Sequence, residues 1–111
     1  MTVYDLSNFS DTPFGRYSDD SKHNGTAFRE ILIDKLKQAR QDKTKLIVDF
    51  DSIKIGIGSS FLEEAFGGLV RKGYFTKEEL TGELGVLDIK SDQDFYKKEI
   101  FAYINEAKLE G

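Results

Sequence analysis

A chain of 111 residues, 39% apolar and 13% aromatic, is sized for one domain around one core. Its net charge of −4 argues against nucleic acid, which demands a dense Lys and Arg surface. With no cysteine, disulfides, thiolate metal sites and cysteine nucleophiles are excluded, and the apolar runs are too short to span a bilayer. No cationic leader precedes an apolar core, so a cytoplasmic protein is expected.

In chain order, residues 2–6 carry an edge-strand pattern. The polar stretch 10–25, which holds Pro13, Gly15, Arg16, Asp19, Asp20, Lys22, His23 and Gly25, reads as a loop with a short strand at 14–17. Residues 26–41 are helical by period: Phe28, Ile31, Leu32, Leu36 and Ala39 share a stripe, with Arg29, Glu30, Lys37 and Arg40 off it. The run Lys45-Leu-Ile-Val-Asp-Phe50 has an unbroken apolar centre. It reads as a strand buried on both faces, with helices above and below. In the connection 51–58, Ile53, Ile55 and Ile57 alternate and suit a further short extended stretch.

A second long helix is expected over 61–72. Ser60 and Glu63 stand at capping-box spacing, Glu63 and Glu64 suit its first turn, and Arg71 and Lys72 suit its last. Gly73 suits the position just past its end. Phe61, Leu62, Ala65, Phe66, Leu69 and Val70 make its buried face, and Gly67 and Gly68 within it suggest a close approach by another backbone. A short helix follows at 76–81, with Thr76 and Glu79 at box spacing and Gly82 as its stop. Then come a strand at 84–89 and a last helix at 92–107 capped by Ser91. Its apolar side is Tyr96, Ile100, Tyr103, Ile104 and Ala107. The alternation adds up to one α/β domain over 1–111, a sandwich with a parallel pair at its centre.

Residues 56–67, Gly-Ile-Gly-Ser-Ser-Phe-Leu-Glu-Glu-Ala-Phe-Gly, are the first functional candidate. A tight turn opens a helix after a buried strand, where α/β folds commonly bind partners or ligands. A phosphoryl group on Ser59 or Ser60 would bring about −1.5 to −2 charge to that helix start. The plainer alternative is that Ser60 only caps the helix. The segment lacks the Gly-Lys-Ser/Thr ending of a phosphate-binding loop, so nucleotide hydrolysis has no support.

The stretch Leu46-Ile-Val-Asp-Phe-Asp-Ser-Ile53, followed by Gly58-Ser-Ser-Phe-Leu-Glu-Glu-Ala-Phe-Gly-Gly-Leu-Val70, resembles the STAS-like domains of unknown function, distant relatives of the STAS anti-sigma-factor antagonists. The N-terminal half agrees: Gly15-Arg16-Tyr17, Asp19-Asp20, Asn24-Gly25 and Phe28-Arg29 resemble the family's pattern ahead of its first long helix. The resemblance implies a four- to five-stranded mixed sheet with three main helices and one short one. It also implies a regulatory protein–protein interaction module in signalling, with a protein partner such as an ATPase or kinase. In the antagonists a partner kinase phosphorylates a serine opening the helix after the central strand, and the matching positions are Ser59 and Ser60. The flanks differ: Gly58 and Phe61 stand where the antagonists usually have Asp and Gly. Partner contact is expected at Gly58, Ser59, Ser60, Phe61 and Glu64.

The second candidate is an anion or nucleotide sensor in which Arg16 and Arg29 grip a phosphate, with Gly25 and Thr26 adding backbone donors. Its alternative is a solvated loop with internal ion pairs, such as Arg29 with Asp19 or Asp20. Asp19, Asp20, Asp49 and Asp51 could gather as an oxygen site, but they match no cation-loop spacing, and Asp49 and Asp51 also suit a turn cap. His23 is read as an exposed loop residue. No acid–base pair or nucleophile triad stands at recognisable spacing, so no enzyme activity, cofactor or metal is expected. Residues 2–6 leave room for edge pairing in a homodimer.

Overall fold

Three short strands, β1 (Thr2–Asp5), β2 (Leu46–Asp49) and β3 (Leu87–Lys90), lie parallel in the order β1-β2-β3 in a computed structural model that describes residues 2–110. Leu46 is level with Thr2 on one side and Leu87 on the other. Parallel neighbours need crossovers. Helix α1 (Gly25–Gln41) makes the first. Helix α2 (59–71) and the short α3 (Lys77–Thr81) make the second, and α4 (Asp94–Glu106) follows β3. Among the described residues no helix is long and apolar enough to cross a membrane.

Burial alternates along the strands. Leu46, Val48, Leu87 and Ile89 are buried, whereas Ile47, Asp49 and Asp88 are half-buried and Lys90 is exposed. The register places exposed Val3 beside Ile47 and Asp88 on that second, open face. The expectation of a strand buried on both faces is corrected accordingly. In a sheet of sequential order, crossovers of one hand put their helices on the same side. One extra apolar residue at position 47 was enough to hide the period of two.

The four- to five-stranded mixed sheet is also corrected: among the described residues there are three strands, all parallel. Residues 14–17 bend instead of pairing, with Gly15 at φ +77° and Asp20 accepting the Arg16 amide at 3.0 Å. The isoleucine alternation at 53–57 forms no strand, and the Ile57 amide donates to the Tyr96 hydroxyl at 3.0 Å. Residues 84–86 precede β3 rather than belonging to it. The Gly85 amide closes a turn on the Gly82 carbonyl at 2.7 Å, and Leu84 is left 94% exposed.

Helix ends follow local chemistry. Asn24 caps α1 by accepting the Ala27 amide at 2.8 Å. Thr76 and Glu79 form the full reciprocal box at α3, and Gly82 ends it. Gly73, at φ +82°, follows α2. The start of α2 differs from expectation. Gly58 is its N-cap and no side chain caps it, so Ser60 lies inside the first turn and its box with Glu63 does not form. Ser91 likewise stops short of capping α4; Gln93 holds that position, and Ser91 accepts its amide at 3.0 Å.

The core is a chain of rings. Phe28 of α1 lies 5.8 Å from Phe61 and 6.0 Å from Phe66, both on α2. Phe66 meets Phe50 at 6.3 Å, and Phe50 meets Tyr96 of α4 at 5.2 Å. Each such pair adds about 0.5–1.5 kcal/mol beyond area burial.

Candidate functional site

The polar loop 10–25 is tied down at both ends. The Gly25 amide donates to the Gly15 carbonyl at 2.8 Å, and the Thr26 amide and hydroxyl donate to the Arg16 carbonyl at 3.1 and 2.9 Å. Asp20 closes the turn from beneath: a Cβ on Gly15 would lie 2.3 Å from its Cβ. These ties fix the backbone of Arg16 and aim its side chain at α2. They also use up the amides of Gly25 and Thr26, so the expected backbone donors for an anion at the start of α1 are already taken by the chain.

Arg29 lies on the buried face of α1, not off it, at 7% exposure. Its partner is neither Asp19 nor Asp20 but Glu64, at 2.6 Å, with the Glu64 carbonyl accepting a second bond at 2.8 Å. Two glycines make room for this crossing. A Cβ on Gly25 would lie 2.9 Å from the Phe61 carbonyl oxygen, and one on Gly68 would lie 2.4 Å from the Arg29 Nη1. The close approach expected at Gly67 and Gly68 is therefore made by side chains, Arg29 at Gly68 and Glu63 at Gly67.

The middle of α2, Glu63–Gly67, is a π-helical turn, a distortion common at functional sites. It presents two neighbouring carboxylates to three guanidiniums. Glu63 pairs with both Arg16 and Arg71. Glu64, 2% exposed, lies 3.2 Å from Arg71 and 3.5 Å from Arg16 in addition to Arg29. Arg71 and Lys72 reach onward to Glu110 at 3.2 and 3.0 Å. Burial opposes ionisation of Glu64, but the Arg29 hydrogen bond and the charges of Arg29, Arg71 and Arg16 outweigh it and hold the carboxyl below the ordinary glutamate range. The Glu63 hydrogen bond raises Arg16, more than offsetting its desolvation. The cluster faces a cavity of about 480 Å³.

Ser59 and Ser60 are exposed at the start of α2. They line a second cavity, of about 300 Å³, together with Phe14, Gly58 and Arg16. Phe14 is 61% exposed beside them, and Tyr17, 55% exposed, lines the larger cavity. Two other expected contact residues are corrected. Phe61 is fully buried in the ring chain and Glu64 is buried under the arginines, so neither belongs to an outer surface. The stripe explains both: once α2 begins at Ser59, positions 61, 64, 65 and 68 fall on its inner side.

The aspartates do not gather. Asp49 and Asp51 flank Lys90 at 3.5 and 3.0 Å, and Asp51 also accepts the Asp92 amide at 2.7 Å, whereas Asp20 serves the loop. Among the described residues no group of three or more His, Asp or Glu is placed to hold a metal. His23 is exposed and packs edge-on against Phe9. The sequence pattern suggests a capping box and helix-end electrostatics for Glu63 and only helix-end electrostatics for Arg71, and nothing in it singles out Glu110. The available signal was an acidic residue at position 64, three residues after Phe61 and one before Ala65, on a stripe that must be buried.

A family model described as a STAS-like domain of unknown function matches residues 24–94. That span takes in Arg29, Ser59, Ser60, Glu63, Glu64 and Arg71 and leaves Arg16 and Glu110 outside. Neither a curated relative nor a solved structure matches the chain.

Proposed function

From the premise that this chain belongs to the STAS-like domains of unknown function, we propose that it is a non-catalytic regulatory module. It docks a protein partner through the surface around Ser59 and Ser60 and is controlled by phosphorylation there. The partner class is an ATPase or kinase of the kind that serves STAS antagonists. One observation carries the reading: two exposed serines open a buried helix without capping it, beside exposed Phe14. The plainer role of Ser60 as a cap is thereby removed. Exposed aromatic rings flanked by polar groups are the usual anchors of an interface.

The test is affinity capture from the native cell with wild type and with Ser59→Glu/Ser60→Glu, alongside intact-mass analysis of the protein purified from that cell. The expected result is one enriched protein, lost at least about tenfold by the double variant (~1.4 kcal/mol), and a phosphorylated fraction that maps to position 59 or 60. Recovery of no specific protein, together with unmodified serines, would sink the proposal.

A second reading, a nucleotide or anion sensor, draws on the three guanidiniums facing the larger cavity. It is the weaker of the two, because Glu63 and Glu64 already engage all three and the Gly25 and Thr26 amides are spent. Thermal stabilisation by a nucleotide, abolished in Arg16→Ala, would favour it instead.

A further inference from the structure

Arg16 is the residue common to the two cavities. On one side it meets Glu63 and Glu64; on the other it shares a wall with Ser59 and Ser60. Its backbone is pinned by Asp20 and Thr26, which leaves the side chain as the part free to choose between the two cavities. It is also the surplus cation of the cluster. Three guanidiniums face two carboxylates, and the Arg16 side chain is 35% exposed against 9% for Arg29 and 21% for Arg71. If Arg16 leaves, Glu63 keeps Arg71, and Glu64 keeps both Arg29 and Arg71, so no acid is stranded.

Resting on the reading of the serine pair as a modification site, we infer that Arg16 is a two-position switch: a phosphoryl group on Ser60 draws its guanidinium away from Glu63. Ser60 is exposed and lines the same cavity wall as Arg16. In the modification, Ser60 Oγ bonds to the γ-phosphorus of a nucleoside triphosphate and the bond from that phosphorus to the bridging oxygen breaks. Nucleoside diphosphate leaves, and the hydroxyl proton passes to the kinase. The phosphate carries about −1.5 to −2 charge and three acceptor oxygens. It competes for Arg16 against Glu63, which already shares its charge with Arg71, and against the more distant Glu64, which Arg29 and Arg71 also hold. A guanidinium grips such a group bidentately. The fold stays in place, but the positive charge beside Phe14 and Tyr17 is neutralised, and a partner docking through Arg16 loses that contact.

The experiment uses the full chain with phosphoserine incorporated at position 60, titrated by ³¹P NMR as wild type, Arg16→Gln and Arg16→Lys. The phosphate of the wild-type background is expected to ionise roughly one pH unit below that of Arg16→Gln, with Arg16→Lys between them. Circular dichroism melts confirm that each variant is folded, which the half-exposed position of Arg16 and the alternative partners of Glu63 and Glu64 favour. Identical ³¹P titrations in wild type and Arg16→Gln would overturn the inference. Partner capture on the same phosphorylated proteins separates it from its premise. Capture unaffected by the phosphoryl group sinks the regulatory reading of Ser60. Capture abolished, with a titration indifferent to Arg16→Gln, sinks only the switch.

Discussion

Glu64 is a carboxylate in a place where carboxylates are costly. An ion removed from water is tolerated only when paired and fully hydrogen-bonded. Arg29 at 2.6 Å and Arg71 at 3.2 Å supply that pairing. Glu64→Gln keeps the shape and leaves Arg29 buried without its counter-charge, so urea denaturation is expected to show a loss of about 3–5 kcal/mol. The pH dependence has a definite sign. The folded-state pKa of Glu64 is lowered, so its stabilisation is present above the unfolded carboxylate pKa and drains as pH falls through the folded value. Between about pH 7 and about pH 3, wild type should therefore lose more stability than Glu64→Gln. Equal losses would mean that the buried pair is not formed. Arg16, Arg29 and Glu64 all stand out in the sequence, but their association does not. It depends on a loop, two helices and a π turn meeting, and no spacing along the chain encodes that meeting.

Helix ends are the part of the molecule most readable from residue types. Thr76 with Glu79 and Gly73 occupy positions that their side chains or backbone freedom dictate, whereas Asn24 caps a helix expected to start only at residue 26. Ser60 with Glu63 shows the limit of that reasoning. The same spacing gives a box at α3 and none at α2, because Arg16 and Arg71 claim the Glu63 carboxylate and Gly58 starts the helix earlier. The pair supplies a matched experiment. Thr76→Ala should destabilise by about 1 kcal/mol. Ser60→Ala, which removes no cap, should stay within about 0.5 kcal/mol of wild type. Thermal melts of both read the difference, and a Ser60→Ala cost equal to that of Thr76→Ala would restore the capping role.

For the whole molecule, the order of strands and helices was legible while the number of strands and the open face were not. Apolar Ile47 between Leu46 and Val48 looks the same in sequence whether or not a second helical layer exists. Substitutions can tell: Leu46→Ala, at a 1% exposed position, should cost about 2–5 kcal/mol, and Val3→Thr, on the open face, less than about 0.5 kcal/mol. A large cost at Val3 would mean that the open face is covered. The two parallel ladders also set a schedule for synthesis. β2 can pair with β1 as soon as it leaves the ribosome, but its other edge waits for β3, about 40 residues later. At about 5–20 residues per second that is roughly 2–8 s with Leu46 and Val48 half-sheltered. During that interval the nascent chain offers an unpaired, valine- and leucine-bearing edge, and it is then that a chaperone would have most to do.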